Sequence, residues 1–214
     1  MPPNNLISRH RISFLAIPLL VFILSVPARA QFPSTATHCF ANCAFPDTGQ
    51  YKCYNATVEA ACTGVGGSFP GQDADYSVSA SSLSYTVYNL VGASSVTVDN
   101  RTGLMWESTG SCNGAGQKWA DALTCCENST FAGQTDWRLP NVRELMSIVD
   151  YSMPAAPFIN QTAFPNTQSS FYWSSTTYVL STASAMYVSF ASSLDVSYYT
   201  KTFSLYVRCV RAGP

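Results

Sequence analysis

The chain has 214 residues, of which 47% are hydrophobic and only 11% charged, with 12 acidic side chains against 11 basic ones. Arg9, Arg11 and Arg29 fall within the first 30 residues, so the remainder holds eight basic groups and a net charge near −4. That balance excludes a basic stripe or polybasic tail for nucleic acid, and the length allows one sizeable core with a small attached module.

Residues 1–30 read as an export signal. Arg9 and Arg11 form the positive end, Ile12 to Leu24 an apolar run short of the roughly 20 residues of a permanent span, and Ala28-Arg29-Ala30 a cleavage site before Gln31. After cleavage no stable membrane span is expected, and the expected address is secreted, cell surface or periplasm. All eight Cys lie beyond the signal, and an even number in an exported chain reads as four disulfides.

Residues 31–70 form a loop-like, Cys-rich module holding Cys39, Cys43, Cys53 and Cys62. Their spacings lack the close ligand pairs of a zinc knuckle, so no metal is expected and their mutual pairing stays open. Residues 71–93 read as a β-rich linker or as the first strands of the main domain. Tyr76, Val78 and Ala80 alternate with serines, Tyr85 and Val87 with Thr86 and Tyr88, and Asp73-Ala74-Asp75 reads as a solvated turn.

The main domain, residues 94–211, opens with a hairpin: Val96-Thr97-Val98, a turn over Asp99 to Gly103, then Leu104-Met105-Trp106. A Gly-rich loop with Cys112 leads to a helix over 117–126, with Trp119, Ala122, Leu123 and Cys126 on one face and Cys125 turned away. A second helix is expected over 141–150. Asn141 caps it, Glu144 returns a hydrogen bond, Pro140 and Leu145 take the staple positions, and Val142, Leu145, Ile148 and Val149 make the buried face. Short runs at 171–176, 185–190, 196–199 and 205–210 suit an antiparallel meander, and the sum is an α+β domain of two short helices and antiparallel strands.

The chemistry-bearing residues argue against turnover. Beyond the signal the only His is His38, every Cys has a potential disulfide partner, and no phosphate-cradling or zinc-protease motif occurs. No catalytic residue and no cofactor are expected. A hydrolase using Asp136 and Glu144 is the alternative, although Glu144 completes a cap and Asp136 can accept from Arg138 or a turn amide.

Recognition is the stronger reading. Trp137 beside Arg138 can take a sugar face or an acidic ligand, or can tie loops together in the core. Tyr172 and Trp173 lie on opposite faces of a strand, which places one inside and leaves its neighbour free to stay outside. Tyr187 and Ser189 read as outward from Met186, Val188 and Phe190; Tyr206, Arg208 and Val210 read as opposite to Leu205, Val207 and Cys209. The candidate ligand contacts are therefore Trp137, Arg138, Tyr172, Trp173, Tyr187 and Tyr206. Their partner would be an extracellular glycan or another surface protein, with self-association or a structural subunit as the alternative. For the Cys of this domain, Cys126 with Cys209 and Cys112 with Cys125 is one arrangement; a vicinal Cys125-Cys126 bond with Cys112 to Cys209 is the other.

Four ordered stretches carry a resemblance: Val98-Asp99-Asn100-Arg101-Thr102-Gly103-Leu104-Met105-Trp106, Phe131 to Leu145 with Thr135-Asp136-Trp137-Arg138-Leu139-Pro140-Asn141 inside it, Tyr172-Trp173-Ser174-Ser175-Thr176, and Tyr206-Val207-Arg208-Cys209-Val210-Arg211. Over about residues 95–211 this resembles the bacterial Lcl C-terminal family. The resemblance implies a C-type-lectin-like fold, an exported or surface address, and adhesion or glycan binding in place of catalysis. It also implies pairing of the helix-end Cys126 with Cys209 of the final motif. No collagen-like Gly-x-y tract occurs, so trimerisation and glycosaminoglycan binding do not follow from it.

Overall fold

The computed structural model describes residues 48, 50, 52–56, 58–60, 62, 72–76, 83–90 and 95–213. The export signal, Cys39, Cys43 and the alternating run after Tyr76 lie outside the described residues.

A two-stranded ribbon, β1 (Cys53–Tyr54) with β2 (Glu59–Ala60), is closed by the Cys53–Cys62 disulfide. Helix α1 (Asp73–Tyr76) follows, so Tyr76 ends a helical turn where strand alternation had been expected to begin. The Gln72 side chain explains the break: its carbonyl accepts from the Tyr54 amide at 2.9 Å and its amide donates to the Tyr54 carbonyl at 2.7 Å. Those bonds hold the turn on the ribbon.

The first large sheet has the order β3 (Tyr85–Asn89), β4 (Ser95–Asp99), β5 (Leu104–Glu107), β9 (Val210–Ala212), all antiparallel. The β4–β5 turn follows from local chemistry. Asp99 accepts from the Arg101 amide at 3.0 Å and the Thr102 hydroxyl at 2.6 Å, and Gly103 takes the left-handed φ of 71° that a side chain would resist. The second sheet is a meander of β6 (Phe171–Thr177), β7 (Ser184–Ser189) and β8 (Val196–Thr200). Residues 205–210 stitch the sheets together through bridges from Leu205 to Gln117, Tyr206 to Tyr172 and Val210 to Arg138. Within the main domain the helices are α2 (Trp119–Glu127) and α3 (Val142–Met146), giving an α+β fold.

Helix α3 is shorter than its apolar spacing predicts. The chain turns at Ser147, whose hydroxyl donates to the Glu144 carbonyl at 2.7 Å, yet Ile148 and Val149 stay buried because the following turn packs into the same core. Its first turn is fully satisfied: Val142 N–H reaches the Thr176 hydroxyl at 3.1 Å, Arg143 and Glu144 N–H reach Asn141 Oδ1 at 2.9 and 3.0 Å, and Leu145 N–H reaches the Asn141 carbonyl. Glu144 Oε2 accepts from the Asn141 amide at 2.8 Å, which completes a capping box. Asn141→Ala is expected to cost about 1 kcal/mol in urea unfolding. A variant as stable as the parent would show that packing alone sets the helix start.

Two apolar clusters lie on opposite sides of the strands. One gathers Val96, Val98, Met105, Ala122, Cys126, Trp137, Trp173, Tyr187, Val207 and Cys209; the other gathers Trp106, Leu145, Ile148, Phe164, Tyr172, Val188, Phe190 and Val210. Strand neighbours point to opposite faces, and both faces here are covered. Tyr172 and Trp173 are therefore both inside, and the outside position that alternation left open to one of them is taken by neither. The same holds for Tyr187 and Ser189, and for Arg208 and Val210: all are buried, and the outward face read from their alternation is a second core.

The disulfides tie this frame. Cys126 at the end of α2 bonds Cys209, and Cys112 in the preceding loop bonds Cys125, so the vicinal alternative does not occur. The Cα atoms of the pairs lie 5.5 and 6.0 Å apart, within the ordinary range for a bridge.

Candidate functional site

The loop 109–114 leaves β5 and is pinned on both sides. Ser111 donates its N–H to the Val207 carbonyl at 3.2 Å and accepts from Cys209 N–H at 2.8 Å, while Cys112 is held to α2 by its disulfide. So pinned, Cys112, Asn113 and Gly114 all take left-handed φ values, 55°, 63° and 68°. Opposite stands the loop 166–168, with Asn166 also left-handed at 60°. Gln168 N–H donates to the Tyr172 hydroxyl at 2.8 Å, and its side-chain amide donates to the Asn166 carbonyl at 3.1 Å.

Between these loops lies a recess of about 250 Å³ lined by Thr109, Gly110, Asn113, Gly114, Asn166, Gln168, Tyr172, Tyr206 and Val207. Its lining includes two adjacent aromatic rings. The Tyr172 and Tyr206 rings are 5.6 Å apart at 31°, and burial pushes the Tyr172 hydroxyl above its usual pKa, so it stays a neutral hydrogen-bonding group.

Arg208 holds the two walls in register. It is fully buried, and its Nη1 donates to the carbonyls of Glu107 and Ser108, each at 2.6 Å, while Nη2 donates to the Thr167 hydroxyl at 2.8 Å. Residues 107–108 enter one wall and Thr167 sits in the middle of the other. Burial lowers the Arg208 pKa, with the neighbouring Tyr172 and Glu107 opposing that change; burial likewise raises Glu107, against hydrogen bonds from Ser111 and Ser129 and the charge of Arg208.

Of the six side chains picked out from the sequence as ligand contacts, Tyr206 lines this recess part-exposed, and Tyr172 lines it as a buried ring against Tyr206. Trp137 is core: its indole N–H donates to the Phe131 carbonyl at 2.9 Å and its ring meets Phe131 edge-on. Trp173 is core too, donating to the Gln117 carbonyl at 2.9 Å. Tyr187 is buried, and its hydroxyl donates to Asp195 at 2.8 Å; burial first, then that hydrogen bond, pushes its pKa up to about 12. Enclosed rings have no free face for a ligand, so these three are corrected to structural roles. Arg138 is part-exposed and lies outside the recess, where it forms a bidentate pair with Glu144 at 2.8 and 2.6 Å. Asp136 pairs with Arg211 at 2.6 Å, a partner other than the Arg138 or turn amide considered for it from the sequence.

The recess residues missed from the sequence are Thr109, Asn113, Asn166 and Gln168. The signal that could have found them is the glycine spacing at 110, 114 and 116 around Asn113, and the Asn166-Thr167-Gln168 triplet in a run without charge from 151 to 194.

The carboxylate pair is set against acid–base work. Hydrogen bonding from Arg211 holds Asp136 below its usual pKa; burial would raise Glu144, but Arg138 and the Asn141 amide outweigh it and the net shift is downward. A general acid needs the opposite shift. A depressed folded-state pKa contributes stability above the unfolded value, roughly 4.3 for Glu, that is lost as pH falls through the folded value. The melting temperature of the parent is thus expected to fall more steeply than that of Glu144→Gln between about pH 5 and 3; parallel curves in a pH series of thermal melts would remove the pair from the stability account.

The sulfurs of Cys112, Cys126 and Cys209 lie within 4.8 Å of one another, close enough to hold a metal as thiolates, but each is in a disulfide and offers none. No described helix is long and apolar enough to cross a membrane. No curated protein matches the chain. Residues 95–211, which contain both walls of the recess, the Arg208 tether and the Cys126–Cys209 bridge, match the Lcl C-terminal domain, and the chain belongs to that family.

Proposed function

We propose that the protein is an exported or surface-exposed recognition module that binds an extracellular glycan through the recess between loops 109–114 and 166–168. The observation that carries this reading is the lining itself: the part-exposed Tyr206, packed on the buried Tyr172, beside Thr109, Asn113, Asn166 and Gln168. Sugars present hydroxyls that both donate and accept, with apolar C–H patches between them, and carboxamides beside aromatic rings answer both. A C-type-lectin-like arrangement is part of the proposal, supported by two helices packed on antiparallel strands and by a disulfide from the end of α2 to the final motif. The export signal at 1–30 and the Cys-rich module at 31–70 fit a chain that folds where thiols oxidise.

A glycan array probed with the mature, oxidised chain tests the reading. Tyr206→Ala is expected to weaken any array signal about tenfold, the effect of losing one ring contact and its hydrogen-bonding edge. An array signal untouched by that change would move the binding surface elsewhere.

A protein partner or a second copy of the chain is the other reading, and one feature favours it. At the β6–β7 hairpin tip Val179 and Leu180 are 86% and 80% exposed, next to Tyr178 stacked on Tyr198 at 3.9 Å. Exposed adjacent aliphatics on a folded surface mark contact sites. Loss of a co-purifying protein, or of a dimer, on changing Val179 and Leu180 to serine would favour this second reading.

A further inference from the structure

The glycan reading leaves the class of sugar open, and the recess narrows it. None of the residues lining the recess is acidic or basic. Among the described residues the side-chain amides of Asn113 and Asn166 take part in no hydrogen bond within the protein, so both are available to a ligand. The cation nearest the wall, Arg208, is fully buried and not part of the lining; its Nη atoms are committed to Glu107, Ser108 and Thr167, and its Nε is enclosed without a partner.

From this, and resting on the glycan reading above, we infer that the recess accepts a single uncharged sugar unit, held by the amides of Asn113, Asn166 and Gln168 against Tyr206, and rejects sulfated or carboxylated saccharides. The reason is desolvation. An anionic group entering a recess with no cation in its lining gives up its hydration and gains only neutral hydrogen bonds, which do not offset the loss of water around a full charge. A hydroxyl or acetamido group loses little by the same transfer, because carboxamides replace both its donor and its acceptor contacts. The net charge of about −4 beyond the signal adds long-range repulsion for a polyanion. The volume, about 250 Å³, falls below the usual range for drug-sized ligands and suits one ring of a chain, not a long run of it.

The test is calorimetric titration of the intact, disulfide-bonded protein with glucose, galactose, mannose, fucose, N-acetylglucosamine and N-acetylgalactosamine, and separately with heparin. Each titration is done at low salt and at roughly tenfold higher salt. The expected result is binding of at least one neutral sugar with a Kd that changes less than about twofold with salt, because no charge pair is formed. Gln168→Ala and Asn113→Gly, the latter keeping the left-handed backbone at 113, are each expected to weaken it about fivefold or more with a melting temperature close to that of the parent. Heparin binding that salt abolishes, with no neutral sugar bound, overturns the inference and leaves the glycan reading standing. Absence of any heat from every sugar and from heparin overturns both.

Discussion

Replacing Cys126 and Cys209 together by alanine is expected to remove most of the stability of the main domain, far more than replacing Cys112 and Cys125. The first bridge spans a sequence separation of 83 and the second one of 13. In the chain-entropy account these correspond to about 4.5 and about 3 kcal/mol of restricted unfolded state. Native packing widens the gap. Cys126 and Cys209 are both fully buried in the cluster with Trp137, Trp173 and Val207, whereas Cys112 and Cys125 are half-buried at the rim. Domains of this size hold only about 5–15 kcal/mol in total, so the Cys126/Cys209 variant should be largely unfolded near body temperature. Urea unfolding without reductant measures both variants. Equal losses, or a larger loss for the Cys112/Cys125 variant, would sink the claim that the long bridge is the main covalent tie.

Arg208→Met should cost about 3 kcal/mol or more, although the side chain touches no solvent and has no carboxylate in hydrogen-bonding contact. Methionine replaces the aliphatic stem and reaches about as far as Nε, so the loss combines the hydrogen bonds of the guanidinium with the space it fills beside Phe164, whose ring lies 5.1 Å from the guanidinium carbon. Two carbonyls, of Glu107 and Ser108, and the Thr167 hydroxyl lose their donor in a place water does not reach. Arg208→Lys is not expected to rescue it, since one ammonium cannot reach both walls with the fork of a guanidinium. Arg211→Met provides the contrast: its partner Asp136 is more than half exposed, and such pairs contribute about 0–1 kcal/mol. Comparable stability of the Arg208 and Arg211 variants in urea would falsify the tether. If the tether holds, sugar binding should weaken along with stability in Arg208→Met, because the walls at 109–114 and 166–168 lose their common anchor.

The local features were legible because their causes lie within a few residues. Asn141 and Glu144 are three apart and satisfy each other's backbone groups; Asp99 closes its own turn onto Arg101 and Thr102; the face of Trp119, Ala122 and Cys126 follows from helical spacing. The four ordered motifs were sufficient for the family, and they lie inside the matched segment. Where sequence reasoning failed, it assumed that each strand has one wet face. Alternation shows that Tyr172 and Trp173 point apart, but it holds no information about whether the far side is water or a second core.

The sequence by itself thus determined the capping box, the hairpin turn, the α+β composition and the family, since each depends on short-range spacing or on an ordered set of motifs. Only the tertiary structure decided which aromatics are enclosed and where a ligand could sit. The recess draws its walls from residues near 110, 166 and 206, and the buried guanidinium at 208 binds segments 100 and 41 positions away. Contacts over such separations depend on how two sheets and two disulfides close around each other, and no local pattern of charge or hydropathy encodes that closure.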